Sequence, residues 1–556
     1  MPERATLRER LVLAAILCLA LLLRFDGISF GLDLSEPRNL VLDRVDENGM
    51  VSAVQKALAA RDLDPRDFLI RGPGGFLAFL AADVPVLAWQ ARTHARGWDG
   101  VLADLERNPS LLHLLHRCVS ALAGVLAVGL LYRVVRREFG AASALCAAGL
   151  LAVLYQHVQD SHLGGVDTLW ALCTLGAVGG MLRLVREPRA RAYFGAGLAA
   201  GFAVAMKYFA VLLAPALVLA HLAARAEARR EGRAPPPFTR LVLAAAAVPL
   251  GFVALFPGIF GAFGHMRATV SAAAGFSSPA WTLAALFEKV RTHLLYSFGV
   301  GVGESALALA LVGLLLLWRR DARARLFVQV VAVLLAGLLL TRNSPPRYAE
   351  PLQVLFAGAG GIALAALLAR APRTLAPLAL AVALAPSLVR SACFDRLVAR
   401  RDTRLDVLDE LARRAVPRDQ VLAFGSAFGM PRPATGVAPY KTLRRLMYGA
   451  PWRKENRTEA QARAQLAQVL AHPPRLVLWN QAGAVLFPGK EQLFELLRQR
   501  YRVVLAVDGR TGAARLPDPV TMDMVPYCRP WLMERPGAPL ALYERIDPPA
   551  PAMRRP

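Results

Sequence analysis

Apolar runs return along the first 390 or so positions, at residues 11–23, 122–131, 241–255, 306–318 and 326–340 among others, with short arginine-rich connectors between them. A membrane-crossing helix needs roughly 20 mostly apolar residues, and these runs reach that length once neighbouring Gly, Ser and Pro are included. One such run could be a buried core helix. Ten or more in succession cannot all be hidden inside a soluble core, so the sequence predicts a polytopic α-helical membrane protein. Composition agrees: the 556 residues are 55% hydrophobic and 19% charged, against about 25% charged for a soluble chain.

The runs place helices near 11–23, 111–132, 141–158, 167–184, 193–206, 208–223, 240–260, 294–318, 326–341, 348–369 and 374–392, eleven in all. Residues 26–109 form a long first loop outside the membrane. Its one apolar piece, 76–89, is short and contains Asp83 and Pro85, which suits a re-entrant or interfacial helix better than a span. The basic N-terminus leads into the first run, and Arg24-Phe25-Asp26 follows instead of a small-residue cleavage site. The expectation is a retained first helix with a cytoplasmic N-terminus. Segments 1–10, 133–140, 183–192, 224–240, 319–325 and 370–373 then face the cytoplasm and hold 3, 3, 4, 5, 4 and 2 Arg, while the short outward loops at 157–166 and 207 hold one Lys. Basic residues collect on the cytoplasmic side of a membrane protein, so the first loop, and everything after the eleventh span, lie on the other side.

From Cys393 onward the pattern changes. Apolar stretches shorten to strand length at 421–424, 476–479, 503–506 and 540–543, with charged helical stretches at 403–415 and 458–470 between them. This alternation predicts a soluble C-terminal α/β domain, with a largely parallel sheet and a frayed tail from 547. The division expected is a membrane module, 1–392, and an extracytoplasmic domain, 393–556.

The net charge of +25 suggests nucleic acid at first sight, but 60 of the 66 basic residues are Arg, many in the connectors that topology requires. Nucleic-acid binding is not expected. Cys18, Cys118, Cys146 and Cys173 stand in or beside apolar runs, where Cys acts as a small hydrophobe. Cys393 and Cys528 can pair if the C-terminal region is oxidised. The absence of CxxC or Cys/His spacing excludes a zinc ribbon.

Four polar clusters interrupt this background. The first is Asp43-Arg44-Val45-Asp46-Glu47-Asn48-Gly49, ahead of an apolar-periodic stretch, where acids can also serve as helix-dipole partners. The second runs from Tyr155 through Gln156, His157, Gln159, Asp160, Ser161 and His162 to Asp167, an acid in the first turn of a membrane helix. It is either a cap or a functional group, because an ionisable residue at that depth is expensive to keep. The third is Lys207, one of six lysines, which either holds an anion or snorkels to the headgroups. The fourth is Arg342 to Tyr348, where Arg347 is placed to meet a phosphate oxygen. All four fall on one side of the membrane, so they predict a single polar site there.

The arrangement resembles the GT-C superfamily of lipid-phosphosugar-dependent glycosyltransferases, in the bacterial branch related to protein O-mannosyltransferases and aminoarabinose transferases (family 39). The residues that carry the resemblance are Asp46-Glu47 in the first outer loop, Asp62-Leu63-Asp64-Pro65 and Gly72-Pro73 after it, and Arg117 with the basic exit Arg133, Arg136 and Arg137. Further along come Ser161-His162 with Asp167, the stretch from Gly201 through Lys207-Tyr208 to Pro215, and Arg347-Tyr348 with Pro351. The chain differs from the family pattern at Val45, at Asn48-Gly49-Met50 and at Gly72, where family members carry Pro or an aromatic residue.

The resemblance implies an inverting transfer of a sugar from an undecaprenyl-type polyprenyl phosphate or diphosphate to an acceptor at the outer face of the cytoplasmic membrane. The acceptor would be an envelope lipid, polysaccharide or protein. It casts Asp46 as general base with Glu47 beside it, and Lys207, Arg347 and Tyr348 as the phosphate-binding group. Asp167, counted with Asp46 and Glu47 among the catalytic acids, and His162 would position the acceptor or help hold a divalent cation, which only some relatives use, and Asp160 would position the acceptor with them. Two other classes fit a helix count of this kind, a transporter or flippase of lipid-linked precursors and a non-catalytic membrane scaffold. Only a transferase would need the acid at 46.

Overall fold

The structure is a computed structural model, which describes residues 5–32, 34, 45–62, 72–276, 282–341, 345–425, 430–431, 441–442, 459–481, 490–510 and 529–546. Its helical part runs α1 (Leu7–Phe25), α2 (Val45–Ala60), α3 (Pro73–Thr93), α4 (Gly97–Arg107), α5 (Ser110–Phe139), α6 (Ala141–Val153), α7 (Tyr155–Ser161), α8 (Asp167–Arg186) and α9 (Ala190–Met206). It continues through α10 (Leu213–Arg230), α11 (Phe238–Ala254), α12 (Ile259–Phe276), α13 (Leu283–Thr292), α14 (Glu304–Trp318), α15 (Ala322–Leu340), α16 (Glu350–Arg370), α17 (Ala376–Val398) and α18 (Thr403–Arg414). Among the described residues seven helices are long and apolar enough to cross a membrane, or up to nine if each of two bent pairs is one span. The apolar helices α9 and α11 are shorter than that, at 17 residues each. The protein is therefore a multi-pass membrane protein. The loop expected over 261–293 is largely helical, since α12 and α13 fall in it.

α3 is apolar enough to span, yet its contacts place it along one end of the bundle. The positions of Gly72 and Gly74 lie against Ala205 and Met206 at the end of α9, Gly75 lies against Val166, and Asp83 meets His116 in the second turn of α5. We call this the site end. At the other end, Glu9 pairs with Arg136, and Glu138 pairs with Arg186 and Arg323.

Both bent pairs leave carbonyls without their helical partners, and in a bilayer such groups must be satisfied by protein. The first pair, α6 with α7, bends by 58°. Arg24 covers that break, with Nη1 donating to Ala152 O at 2.9 Å and Nη2 to Leu151 O at 3.1 Å, and Ser391 Oγ donates to Val153 O at 3.1 Å. In the second pair, α13 continues into the π-helical run His293–Val300 and turns by 106° into α14. Arg390 Nη1 donates to the carbonyls of Gly299 and Val300, Ser387 Oγ to that of Val302, and Arg390 Nη2 reaches Glu304 Oε1 at 2.6 Å. Each break therefore takes one arginine and at least one serine, and α17 supplies both serines.

The C-terminal sheet has β1 (Val421–Gly425), β2 (Lys441–Thr442), β3 (Leu476–Asn480), β4 (Tyr501–Val507) and β5 (Leu540–Arg545), in the order β2-β1-β3-β5-β4. It is mixed instead of largely parallel. β1 pairs in parallel with β2 and β3, but β5 inserts antiparallel between β3 and β4. Alternate residues of a strand face opposite sides, and the two faces divide cleanly. Val421, Ala423, Leu476, Leu478, Leu540 and Leu542 share a core with Tyr155, Leu163, Phe394 and Leu397 of the helical part. Leu422, Phe424 and Val477 pack with Leu466, Leu493 and Leu497, from helices Glu459–Ala471 and Lys490–Arg500. Cys393 is a free thiol, and Cys528 lies outside the described residues.

Candidate active site

The first loop is tied down by the beginning of α5, where His113, His116, Arg117 and Ser120 repeat at helical spacing along one buried face. Arg117 Nε donates to Glu47 Oε1 at 2.6 Å and Nη2 to Oε2 at 3.3 Å, while Nη1 donates to the carbonyls of Ile28 and Phe30. The amide of Gly164 adds a third donor to Glu47 at 3.3 Å. A side chain at 164 would meet His116 at 2.8 Å and Glu47 at 3.3 Å, so only glycine allows that approach. Burial alone would raise the Glu47 carboxyl, but Arg117 and His113 outweigh it and hold it well below the usual glutamate range. Glu47 is fully buried. It anchors the start of α2 through Arg117 and the Gly164 amide.

Asp46, one residue earlier, projects differently. It is 17% exposed, and Arg347 Nη2 donates to its Oδ2 at 3.1 Å. Arg347 and Tyr348 sit in a 3₁₀ turn, Pro346–Ala349, that leads into α16. Pro345 and Pro346 end the preceding connection, and Pro351 in the first turn of α16 loses no hydrogen bond there.

Lys207 ends α9. Its extended backbone, φ −157° and ψ 124°, stops the helix, and a 3₁₀ turn over Tyr208–Leu212 follows. Its Nζ donates to Asp167 Oδ1 at 2.6 Å and lies 3.7 Å from the centroid of the Tyr348 ring and 4.8 Å from that of Trp170. Phe209 closes the aromatic wall, edge-on to both rings. The departure at Gly72 has a cause here. Its φ is +98°, and a Cβ would stand 2.5 Å from the carbonyl oxygens of Ala205 and Met206, just before Lys207. No aromatic residue fits.

The structure thus joins Asp46, Arg347, Tyr348, Lys207 and Asp167 in one chain of contacts. The other three predicted residues lie to the side of it, Glu47 on Arg117 and the remaining two on α7 and at its end. Asp160 is buried and accepts from Gln156 Nε2 at 3.4 Å. His162 has Nδ1 at 2.9 Å from Val158 O, Nε2 at 2.8 Å from Asp26 O, and Asp395 at 3.6 Å. Its ring faces the junction of α1 and α17, while Asp167 faces Lys207. Among the described residues no group of three or more His, Cys, Asp or Glu is arranged to hold a metal ion.

Several participants were not singled out from sequence. Trp170 looked like an apolar neighbour of Asp167, and Glu350 and Gln353 like parts of an apolar helix. In the structure Trp170 lies beside Lys207, and Glu350 and Gln353 form a polar seam against α7. Gln353 Nε2 donates to Gln156 Oε1 and to Ser297 O, both at 2.7 Å, and His157 Nε2 stands 4.0 Å from Glu350 Oε1. Arg24 Nη2 lies 3.0 Å from His157 Nδ1. Guanidinium can only donate, so Nδ1 accepts and the proton of neutral His157 sits on Nε2, toward Glu350. The spacing of Arg347, Glu350 and Gln353, three apart on one helix face, was the available signal.

The sequence matches the family described as dolichyl-phosphate-mannose-protein mannosyltransferase over residues 114–253, a quarter of the chain. No curated protein matches it. Among solved structures it is similar to apo ArnT from Cupriavidus metallidurans, at 13% identity and TM-score 0.53, over 95% of this chain and 97% of that one. It is also similar to the oligosaccharyltransferase of Archaeoglobus fulgidus in complex with Zn and sulfate, at 13% identity and TM-score 0.52, over 96% and 88% of the two chains. A third similarity is to AglB from Archaeoglobus fulgidus, in complex with an inhibitory peptide and a dolichol-phosphate, at 13% identity and TM-score 0.50, over 85% and 69%. The shared architecture is the GT-C fold, as the sequence resemblance implied.

Proposed function

We propose that the protein is an integral-membrane glycosyltransferase that moves a sugar from an undecaprenyl-type polyprenyl phosphate to an acceptor hydroxyl, with inversion. The observation that carries this reading is the run of contacts from Asp46 through Arg347 and Tyr348 to Lys207 and Asp167, which puts two acids and two cations around a single place. The acceptor oxygen attacks the anomeric carbon and gives its proton to the Asp46 carboxylate. The bond from that carbon to the phosphate oxygen breaks, and its electron pair stays on the phosphate. Positioned donors stabilise charge best where it develops, and Lys207 and Arg347 are the groups for that charge, with Tyr348 beneath both. Glu47 holds Asp46 in place through Arg117, Asp167 orients Lys207, and Asp160 and His162 shape the acceptor side.

The arginine-rich end faces the cytoplasm in this reading and the site lies at the outer face of the inner membrane. Residues 1–392 form the catalytic module and 393–556 an extracytoplasmic domain that helps select an envelope lipid, polysaccharide or protein as acceptor. The alternative from another class is a carrier of lipid-linked precursors, which has no use for a base. The test is transfer by the purified protein in nanodiscs, from a panel of labelled polyprenyl-phosphate sugars to envelope extracts. Asp46→Asn should lower the rate about 10²- to 10⁴-fold, the range of a general base. Undiminished turnover by Asp46→Asn, or no turnover by wild type with any donor, would sink the proposal.

A further inference from the structure

Both proposed phosphate-binding cations are already engaged by carboxylates, and the two pairs differ from the permanent one beside them. Glu47 and Arg117 are 0% exposed, joined through two oxygens, and locked to three backbone groups. Arg347 and Asp46 are 12% and 17% exposed, and Lys207 and Asp167 are 10% and 4% exposed. A phosphate arriving at either cation meets an anion in residence. Two like charges held at contact distance in a partly buried site repel strongly, so phosphate and carboxylate do not share the cation.

We propose that Asp46 and Asp167 are resident counter-ions that the donor phosphate displaces, so that donor binding also releases the base. In the structure an oxygen of Asp46 accepts from Arg347 Nη2, and a lone pair engaged by a guanidinium is not available to an acceptor hydroxyl. Once the phosphate takes Arg347, that oxygen is freed. Tyr348 keeps both cations in place during the exchange, because its ring lies 3.7 Å from Lys207 Nζ and 6.0 Å from the Arg347 guanidinium carbon. The donor therefore binds before the acceptor is deprotonated, and the acid that drives transfer opposes donor binding.

This inference rests on the transferase reading and makes an unusual demand, that removing the base tightens the donor site. Binding of undecaprenyl phosphate to the full chain in nanodiscs measures it. Asp46→Asn should bind roughly three- to tenfold more tightly than wild type, the effect of about 0.6–1.4 kcal/mol at a partly exposed pair. The gain should vanish in an Arg347→Gln background. Asp167→Asn should gain similarly, and lose that gain with Lys207→Met. Asp46→Glu, which keeps the pair, should bind as wild type does and controls for folding. Equal or weaker binding by both Asn variants, with wild type binding normally, overturns the counter-ion proposal alone. A wild-type protein that does not bind undecaprenyl phosphate overturns the transferase reading with it.

Discussion

The two ends of the helical bundle use similar residues in different ways. At the arginine-rich end the cations that meet Glu9, Glu138 and Glu187 remain partly in contact with solvent, with Arg136 23%, Arg186 29%, Arg323 29% and Arg137 41% exposed. At the site end Arg117, Lys207 and Arg347 are 0%, 10% and 12% exposed. Exposed pairs are screened and weak, with a median near 0–1 kcal/mol. Buried cations must be matched one to one, because an uncompensated charge there is costly. The first arrangement orients a chain in a membrane and tolerates exchange of its parts. The second fixes which acid meets which base.

That contrast can be broken by substitution. The largest effect should come from Glu47→Gln, which leaves Arg117 buried without its carboxylate and should cost about 3–5 kcal/mol, read as a lowered unfolding midpoint in detergent. Acid sharpens the same point. The depressed Glu47 carboxyl stabilises the fold in full above the ordinary glutamate value, about 4.3. That contribution declines as the pH falls from there toward the lower folded value. The gap between wild type and Glu47→Gln should therefore be level from pH 8 to about 5 and narrow below about 4.3; a gap that widens in acid would contradict the assignment.

Next is Lys207→Met, which keeps stem volume and removes the cation. A loss of about 10²-fold in transfer rate is expected from one missing charge-stabilising donor, and the melting temperature should fall as well, because Asp167, 4% exposed, is left without its cation. The smallest effect belongs to the other end. Arg137→Gln, at a pair whose side chains are 41% and 32% exposed, should shift stability by less than about 1 kcal/mol and leave transfer intact. A large effect there would erase the distinction between the ends.

How much of this could be read from the residues depended on range. Spans were legible because a bilayer imposes length and charge asymmetry locally, and the mismatched elements are those that obey neither rule. α12 and α13 lie in a stretch too polar to read as a span, and β5 gives no local sign that it inserts between β3 and β4. The polar clusters were visible as clusters, and their common location followed from topology. The pairing of Asp46 with Arg347, 301 positions apart, was not visible, because nothing near either residue specifies the other. Arg24 is the clearest case. It looked like the basic end of a helix, since the carbonyls it serves are open only where α6 breaks from α7.

That stitching bears on biogenesis. The chain emerges from the ribosome with Arg24 first, the α6–α7 break next and the α13–α14 break later, yet Ser387, Arg390 and Ser391 arrive only with α17. Until that final span enters the bilayer, the carbonyls of Val153 in the first break and of Gly299, Val300 and Val302 in the second lack the side-chain donors α17 brings. Assembly is thus latched from its last transmembrane segment, and a nascent chain halted before residue 387 would carry two open seams for quality control to find.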